Sequence, residues 1–214
     1  MGVQMGQIVN PSDDAMPFVS LYDTYINPYL TSGHVDEVTF SRDLRAALTQ
    51  HLDALNPAIR WGWKNPRSIY LLPLFDQMIP GLKFLHVVRN PLDMVTSRNQ
   101  NQHQKHGRAV IGDHFTTLTP ALASVKLWKK ANETAADYGA TMADRYLVVR
   151  YEELCEKPHQ ESAHIARRFD LPDPPNHWVN HIARSPSRWE NLDPDALRVL
   201  RSELGDAMRR FGYT

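Results

Sequence analysis

An α/β protein with a parallel sheet flanked by helices is the fold this sequence predicts, on three observations. The runs LKFLHVV (82–88) and RYLVVR (145–150) are short and nearly continuously apolar, as strands buried on both faces are. They alternate with stretches of helical periodicity, the signature of parallel pairing through helical crossovers. The first run stops at Arg89-Asn90-Pro91, where asparagine suits a helix cap and proline the first helical position. That pattern reads as strand, tight turn, helix, with a guanidinium held where the strand ends. In open parallel sheets, ligands gather at that edge.

The remaining elements follow in chain order. PFVSLYDTYINPYL (17–30) reads as a helix with a break near Pro28. Between Asp36 and Leu55, the spacing of Phe40, Leu44, Leu48, Leu52 and Leu55 draws one apolar helical stripe. IRWGW (59–63) reads as a short strand ending at Lys64, and residues 67–79 as a helix closed by Pro80-Gly81. The helix after Asn90 is expected to reach about Asn101, and the polar segment 102–115 to be a surface loop. Helices are expected over 118–139, with Val125 and Trp128 inward, over 159–169, and over 193–211 with Asp193 or Asp195 at its start.

Composition bounds the function. At 214 residues a single domain spanning 1–214 is the default, and 42% hydrophobic residues suffice for a core. Lys+Arg and Asp+Glu are 24 each, so the basic excess of a nucleic-acid binder is missing. Cys155 is the one cysteine, which excludes an intrachain disulfide and a CxxC pair and fits a reducing compartment. No apolar run approaches a membrane span and the N-terminus has no signal-peptide pattern, so the expectation is a cytoplasmic protein without a membrane partner.

Three expected strand ends carry a cation: Lys64 after Trp63, Arg89 after Val88, and Arg150, followed by Tyr151, after Val149. On one edge of a parallel sheet these would concentrate positive charge in a neutral protein and suit an anion with several phosphates.

On these residues the sequence resembles the sulfotransferases that use 3′-phosphoadenosine-5′-phosphosulfate (PAPS). FLHVVRNPLDMVTSR (84–98) is similar to the family's 3′-phosphate element, which implies Arg89 and Ser97 as nucleotide ligands. RYLVVRYEELCEKP (145–158) resembles the later strand and its Arg-Tyr-Glu-Asp-Leu segment, with Glu153 in the aspartate position; Tyr151 is thereby implied near the adenine or the 3′-phosphate. WGWKNPRSIYLLPLF (61–75) is similar to the Lys-x-Pro-Arg segment of bacterial and carbohydrate sulfotransferases, which implies Lys64 beside the reacting group. RSPSRWENL (184–192) loosely matches the basic loop over the nucleotide and implies Arg184 and Arg188 as further ligands.

The resemblance implies a P-loop-NTPase-like sheet, PAPS as co-substrate, no metal, and a hydroxyl or amine acceptor on a small or carbohydrate-like molecule. One departure stands against it. The family cradles the 5′-phosphosulfate in a loop after its first strand, and neither that loop nor a G-x-x-x-x-G-K-[ST] pattern occurs here. The expectation is therefore a chain lacking its first strand–loop–helix unit. Two rivals remain: a non-catalytic nucleotide- or partner-binding protein, and a nucleotide kinase on a related fold, which would need a Walker loop.

For the general base, Asp14 is the candidate beside Asp13, with helix capping by both as the alternative. His86 lies within a strand and reads as a packed core histidine; His103, His106 and His114 match no metal spacing. The expected loop 102–115 is a candidate acceptor lid.

Overall fold

The computed structural model describes residues 15–53, 60–97, 99–185 and 187–213. It is mostly helical, with a small parallel sheet. Helices α1 (Val19–Ser32), α2 (Glu37–Leu52) and α3 (Leu72–Met78) precede strand β1 (Phe84–Val88). Then come α4 (Pro91–Val95), α5 (Asn101–Ile111) and α6 (Pro120–Gly139), followed by strand β2 (Tyr146–Arg150). Helices α7 (Tyr151–Glu156), α8 (Pro158–Arg168), α9 (Asn176–Val179), α10 (Pro194–Leu204) and α11 (Asp206–Arg210) complete the chain.

The core has two parts. Phe18, Tyr22, Ile26, Phe40, Leu71 and Phe75 form an aromatic cluster between α1, α2 and α3. Val88, Leu92, Val125, Trp128, Leu204 and Phe211 form a second cluster, where the end of β1 meets α4, α6, α10 and α11. Among the described residues the sheet is β1 beside β2, parallel, in a register running from Phe84↔Tyr146 to Val88↔Arg150. His86 and Val88 are buried, whereas Val87 and Val148 are exposed.

His86 is a core residue, as expected. Its Nε2 lies 2.8 Å from Asn132 Oδ1, while Asn132 Nδ2 donates to the Trp128 carbonyl. The ring therefore carries its proton on Nε2, and Nδ1 accepts from the Tyr146 hydroxyl at 2.5 Å. The Tyr146 ring lies against Gly139, where a Cβ would stand 2.4 Å from it.

Four expectations are corrected. Pro28 does not break α1, which runs through it to Gly33, a left-handed cap at φ 75°. Leu21, Tyr22, Tyr25 and Ile26 anchor the helix in the core, and their burial outweighs the ~3 kcal/mol an internal proline costs.

Residues 60–63 do not form a strand; Trp61 contributes an isolated bridge. Trp63 instead joins the aromatic cluster, stacked on Phe18 at 4.9 Å with its Nε1 donating to Tyr22 Oη at 3.0 Å.

The helix after Asn90 stops at Val95 rather than near Asn101. Gln100 Nε2 donates to the Met94 and Ser97 carbonyls, and Ser97 Oγ accepts from the Asn99 N–H, so side chains take up the backbone groups a longer helix would have used.

Residues 101–111 are helix, not loop, and 113–117 a 3-10 turn. Burial of His106 and Gly107, with His106 Nδ1 2.8 Å from Asn27 Oδ1, supplies the tertiary support that apolar spacing does not.

Candidate functional site

The strand register builds the site. Because Val88 pairs with Arg150, the next residues, Arg89 and Tyr151, emerge side by side at the carboxyl edge of the sheet. The Arg89 guanidinium lies over the Tyr151 ring, 4.9 Å from its centre. Asp93, one turn into α4, accepts from Arg89 Nε at 3.3 Å and Nη2 at 3.1 Å, both on Oδ2. One edge of the guanidinium thus faces Asp93 and one face lies on Tyr151. Nη1 has no hydrogen-bond partner among the described residues, so the Nη1–Nη2 edge is not taken up by any of them.

Buried groups hold this arrangement from behind. Glu152 accepts from the Asn90 N–H at 2.9 Å and from the Tyr213 hydroxyl at 2.7 Å. The Trp128 indole donates to the Arg89 carbonyl at 3.0 Å, and Asn90 Oδ1 caps α4 by accepting from the Leu92 N–H. Burial and the Glu152 hydrogen bond push the Tyr213 hydroxyl far above the usual phenol range, so it stays a protonated donor.

The chain after α9 crosses the same edge. The Tyr151 hydroxyl accepts from the Ser185 N–H at 2.9 Å and donates to the Ala183 carbonyl at 3.2 Å. Ser187 Oγ donates to Asp93 Oδ2 at 3.4 Å and accepts from Arg184 Nη2 at 3.4 Å. Arg184 also reaches Glu156 at 3.7 Å. Three of the sequence candidates, Arg89, Tyr151 and Arg184, therefore meet in one cluster.

The others lie apart or beyond view. Ser97 sits in the turn after α4, its hydroxyl turned to Asn99, with no hydrogen bond to Arg89 among the described residues. Arg188 is exposed beside Trp189. Lys64 is exposed next to the aromatic cluster, its carbonyl accepting from the Ala15 N–H at 2.9 Å. Without a strand at 60–63, Lys64 does not end a strand at the sheet edge beside Arg89, the position the sequence predicts for it. Arg150 bends back over the Tyr213 ring and donates to the Gly212 carbonyl at 2.7 Å, a structural use of the third cation. Asp14 lies outside the described residues.

Among the described residues no group of three or more His, Cys, Asp or Glu side chains is arranged to hold a metal, and no helix is long and apolar enough to cross a membrane. A groove of about 470 Å³ between α5, the 113–117 turn and α6 is lined by Val110, Ile111 and His114 of the candidate lid segment but by none of the candidate catalytic or nucleotide-binding residues; its Lys126 and Lys129 are tied to Glu203.

Sequence reasoning missed Asp93, Ser187, Glu152 and Tyr213. Asp93 had a signal, its i+4 spacing from Arg89 across the turn into a capped helix. The others depend on contacts with residues at least 61 positions away, which no local pattern encodes.

The described residues thus form a mostly helical α/β protein with a cation on an aromatic ring, a carboxylate and a hydroxyl-bearing segment gathered at a strand's carboxyl end. The sequence model of the Sulfotransferase family matches residues 19–175, and the chain belongs to that family. No curated protein matches the sequence. Among solved structures it is similar to a sulfotransferase domain from the curacin biosynthetic pathway, at 16% identity and a TM-score of 0.49. The match covers 82% of this chain and 63% of that one.

Proposed function

We propose that the chain is a sulfotransferase of P-loop-NTPase-like architecture, moving a sulfuryl group from PAPS to a hydroxyl or amine of a small or carbohydrate-like acceptor. The observation that carries the reading is the Arg89 guanidinium, fixed at the end of β1 over Tyr151 with its outer edge available. A planar fork of N–H donors matches a phosphate dianion, and the Tyr151 ring beside it offers a face for a purine.

PAPS, when bound, supplies an activated sulfuryl group on a phosphate leaving group. This chain's residues would grip and orient. Arg89 donates to the 3′-phosphate, Ser97 turns its hydroxyl from Asn99 to the same group, and Arg184 and Arg188 close over it from the segment after α9. Lys64 would bring positive charge to the oxygen that becomes the leaving group, as transfer through an in-line geometry requires. An acidic residue near the start of the chain, Asp14, would take the acceptor's proton. Family membership supports the reading, in which Lys64 and the arginines, rather than a metal, supply the charge stabilisation.

The test is calorimetric titration with 3′-phosphoadenosine-5′-phosphate. Wild-type protein should bind in the micromolar range, and Arg89→Ala should lose about 100-fold in affinity, the worth of a lost charge-assisted bidentate contact. A well-folded wild type that does not bind would overturn the nucleotide assignment.

A further inference from the structure

We infer that Asp93 is a positioning residue that couples Arg89 to the segment carrying Ser185 and Ser187, an inference that rests on the nucleotide reading above for its functional meaning. Arg89 could adopt many rotamers at the surface, where its side chain is 36% exposed, yet it is held by a carboxylate whose own side chain is 4% exposed. That carboxylate is fixed because α4 is capped by Asn90 and anchored by buried Leu92. Its Oδ2 receives Nε and Nη2 of Arg89 from one direction and Ser187 Oγ from another. One oxygen therefore joins the cation to the segment after α9.

The side of the guanidinium that Asp93 takes is decisive. Binding through Nε and Nη2 orients the plane and leaves the end-on Nη1–Nη2 edge pointing away from the carboxylate. A carboxylate on the end-on edge would instead occupy the fork and repel an incoming anion. The buried Oδ1 has no hydrogen-bond partner among the described residues, so the contacts they make load onto Oδ2. Loss of that oxygen would release Arg89 and Ser187 together. Ser187 is in turn linked to Arg184, while Ser185 and Ala183 hold the Tyr151 hydroxyl, so the aromatic ring under Arg89 and the segment beside it share one frame. The functional consequence is preorganisation: a grip whose rotamer is set before the anion arrives loses less freedom on binding.

The experiment uses the full chain without nucleotide first. The Arg89 Nε–H signal and the Ser185 amide are followed by NMR hydrogen exchange in wild type, Asp93→Asn, Asp93→Ala and Ser187→Ala. Asparagine keeps the side-chain volume, so the fold is retained while the charge is lost. In both Asp93 variants the Arg89 Nε–H and the Ser185 amide should exchange about tenfold faster or more. Ser187→Ala should speed Ser185 alone and leave Arg89 as in wild type. Affinity for 3′-phosphoadenosine-5′-phosphate should fall about tenfold in Asp93→Ala and less in Asp93→Asn, which keeps an acceptor oxygen. Unchanged Arg89 and Ser185 exchange in both Asp93 variants would overturn the coupling, as would an Arg89 signal that moves in Ser187→Ala. A wild type that fails to bind the nucleotide would instead count against the nucleotide reading, with the exchange data still deciding the role of Asp93.

Discussion

Two arginine–aspartate pairs, one beside each part of the core, are wired in opposite senses. In Arg67–Asp23 the arginine side chain is 9% exposed and the aspartate 45%, with Lys105 adding a second cation to the same carboxylate oxygen at 3.0 Å. Arg67 also lies 4.9 Å from the centre of the Tyr22 ring, inside the aromatic cluster. In Arg89–Asp93 the order is reversed: the arginine faces outward and the aspartate is buried. The buried arginine, paired through Nη1 and packed on the Tyr22 ring, serves the fold. An outward arginine anchored by a buried acid keeps part of its fork for something else. Sequence alone shows four charged residues; which partner faces water is what sets the two pairs apart.

The largest effect that would break this contrast is on stability. Asp23→Ala strands the Arg67 charge in the core and should cost about 3 kcal/mol of unfolding free energy, read by urea denaturation. Asp93→Asn leaves an arginine with access to water and should cost clearly less. Equal costs would erase the distinction. The Asp23 carboxyl also has a pH signature: burial would raise it, but hydrogen bonds from Lys105 and Arg67 outweigh that and hold it below its usual value. Its stabilisation is therefore present above its ordinary value and lost as pH falls through the depressed one.

A smaller effect sharpens the comparison, because each region holds a buried histidine whose pKa burial lowers. Burial lowers His86 to about 4 despite its Asn132 hydrogen bond, and burial, aided by Arg67 and Lys105, lowers His106 to about 4. Between the usual value of 6.5 and about 4, the unfolded chain binds protons that the folded chain refuses. Stability should therefore fall on acidification across that window, by up to ~1.4 kcal/mol per pH unit for each histidine. Thermal melts from pH 7 to 4.5 check this. His86→Gln and His106→Gln should each flatten the dependence, and a profile unchanged by either would remove that histidine from the account.

The smallest expected effect isolates the ring from its hydroxyl. Tyr151→Phe keeps the aromatic face under Arg89 and drops the ties to Ala183 and Ser185, so nucleotide affinity should fall less than about fivefold by calorimetry. A loss as large as that of Arg89→Ala would mean that the hydroxyl, not the ring, supports the site.

Much of this arrangement was legible in the sequence where the physics is local. The runs ending at Val88 and Arg150 read as strands because unbroken apolar stretches have few other uses, and Arg89 stood out as the first residue that could not be buried. Asn90 and Pro91 gave the turn. Reading failed where tertiary contacts overrode local pattern. Trp61 and Trp63 looked like strand residues, but their indoles stack with Phe18 and each other. Residues 102–111 looked like loop because their support comes from polar contacts, such as Asn27 with His106 and with the Lys105 carbonyl, rather than from an apolar stripe. At the site, Arg89 and Tyr151 were visible, whereas Glu152 and Tyr213 become neighbours only once the chain's last residues fold under β1.

The bare α-carbon of Gly139 reaches further than its size suggests. The Tyr146 ring fills the space a methyl would take, and that ring is itself engaged with His86 and stacked on Phe84. A single methyl there would displace the tyrosine, unseat the histidine and strain the strand that presents Arg89. The spacing between the end of α6 and the sheet is thus set by the absence of a side chain at one position.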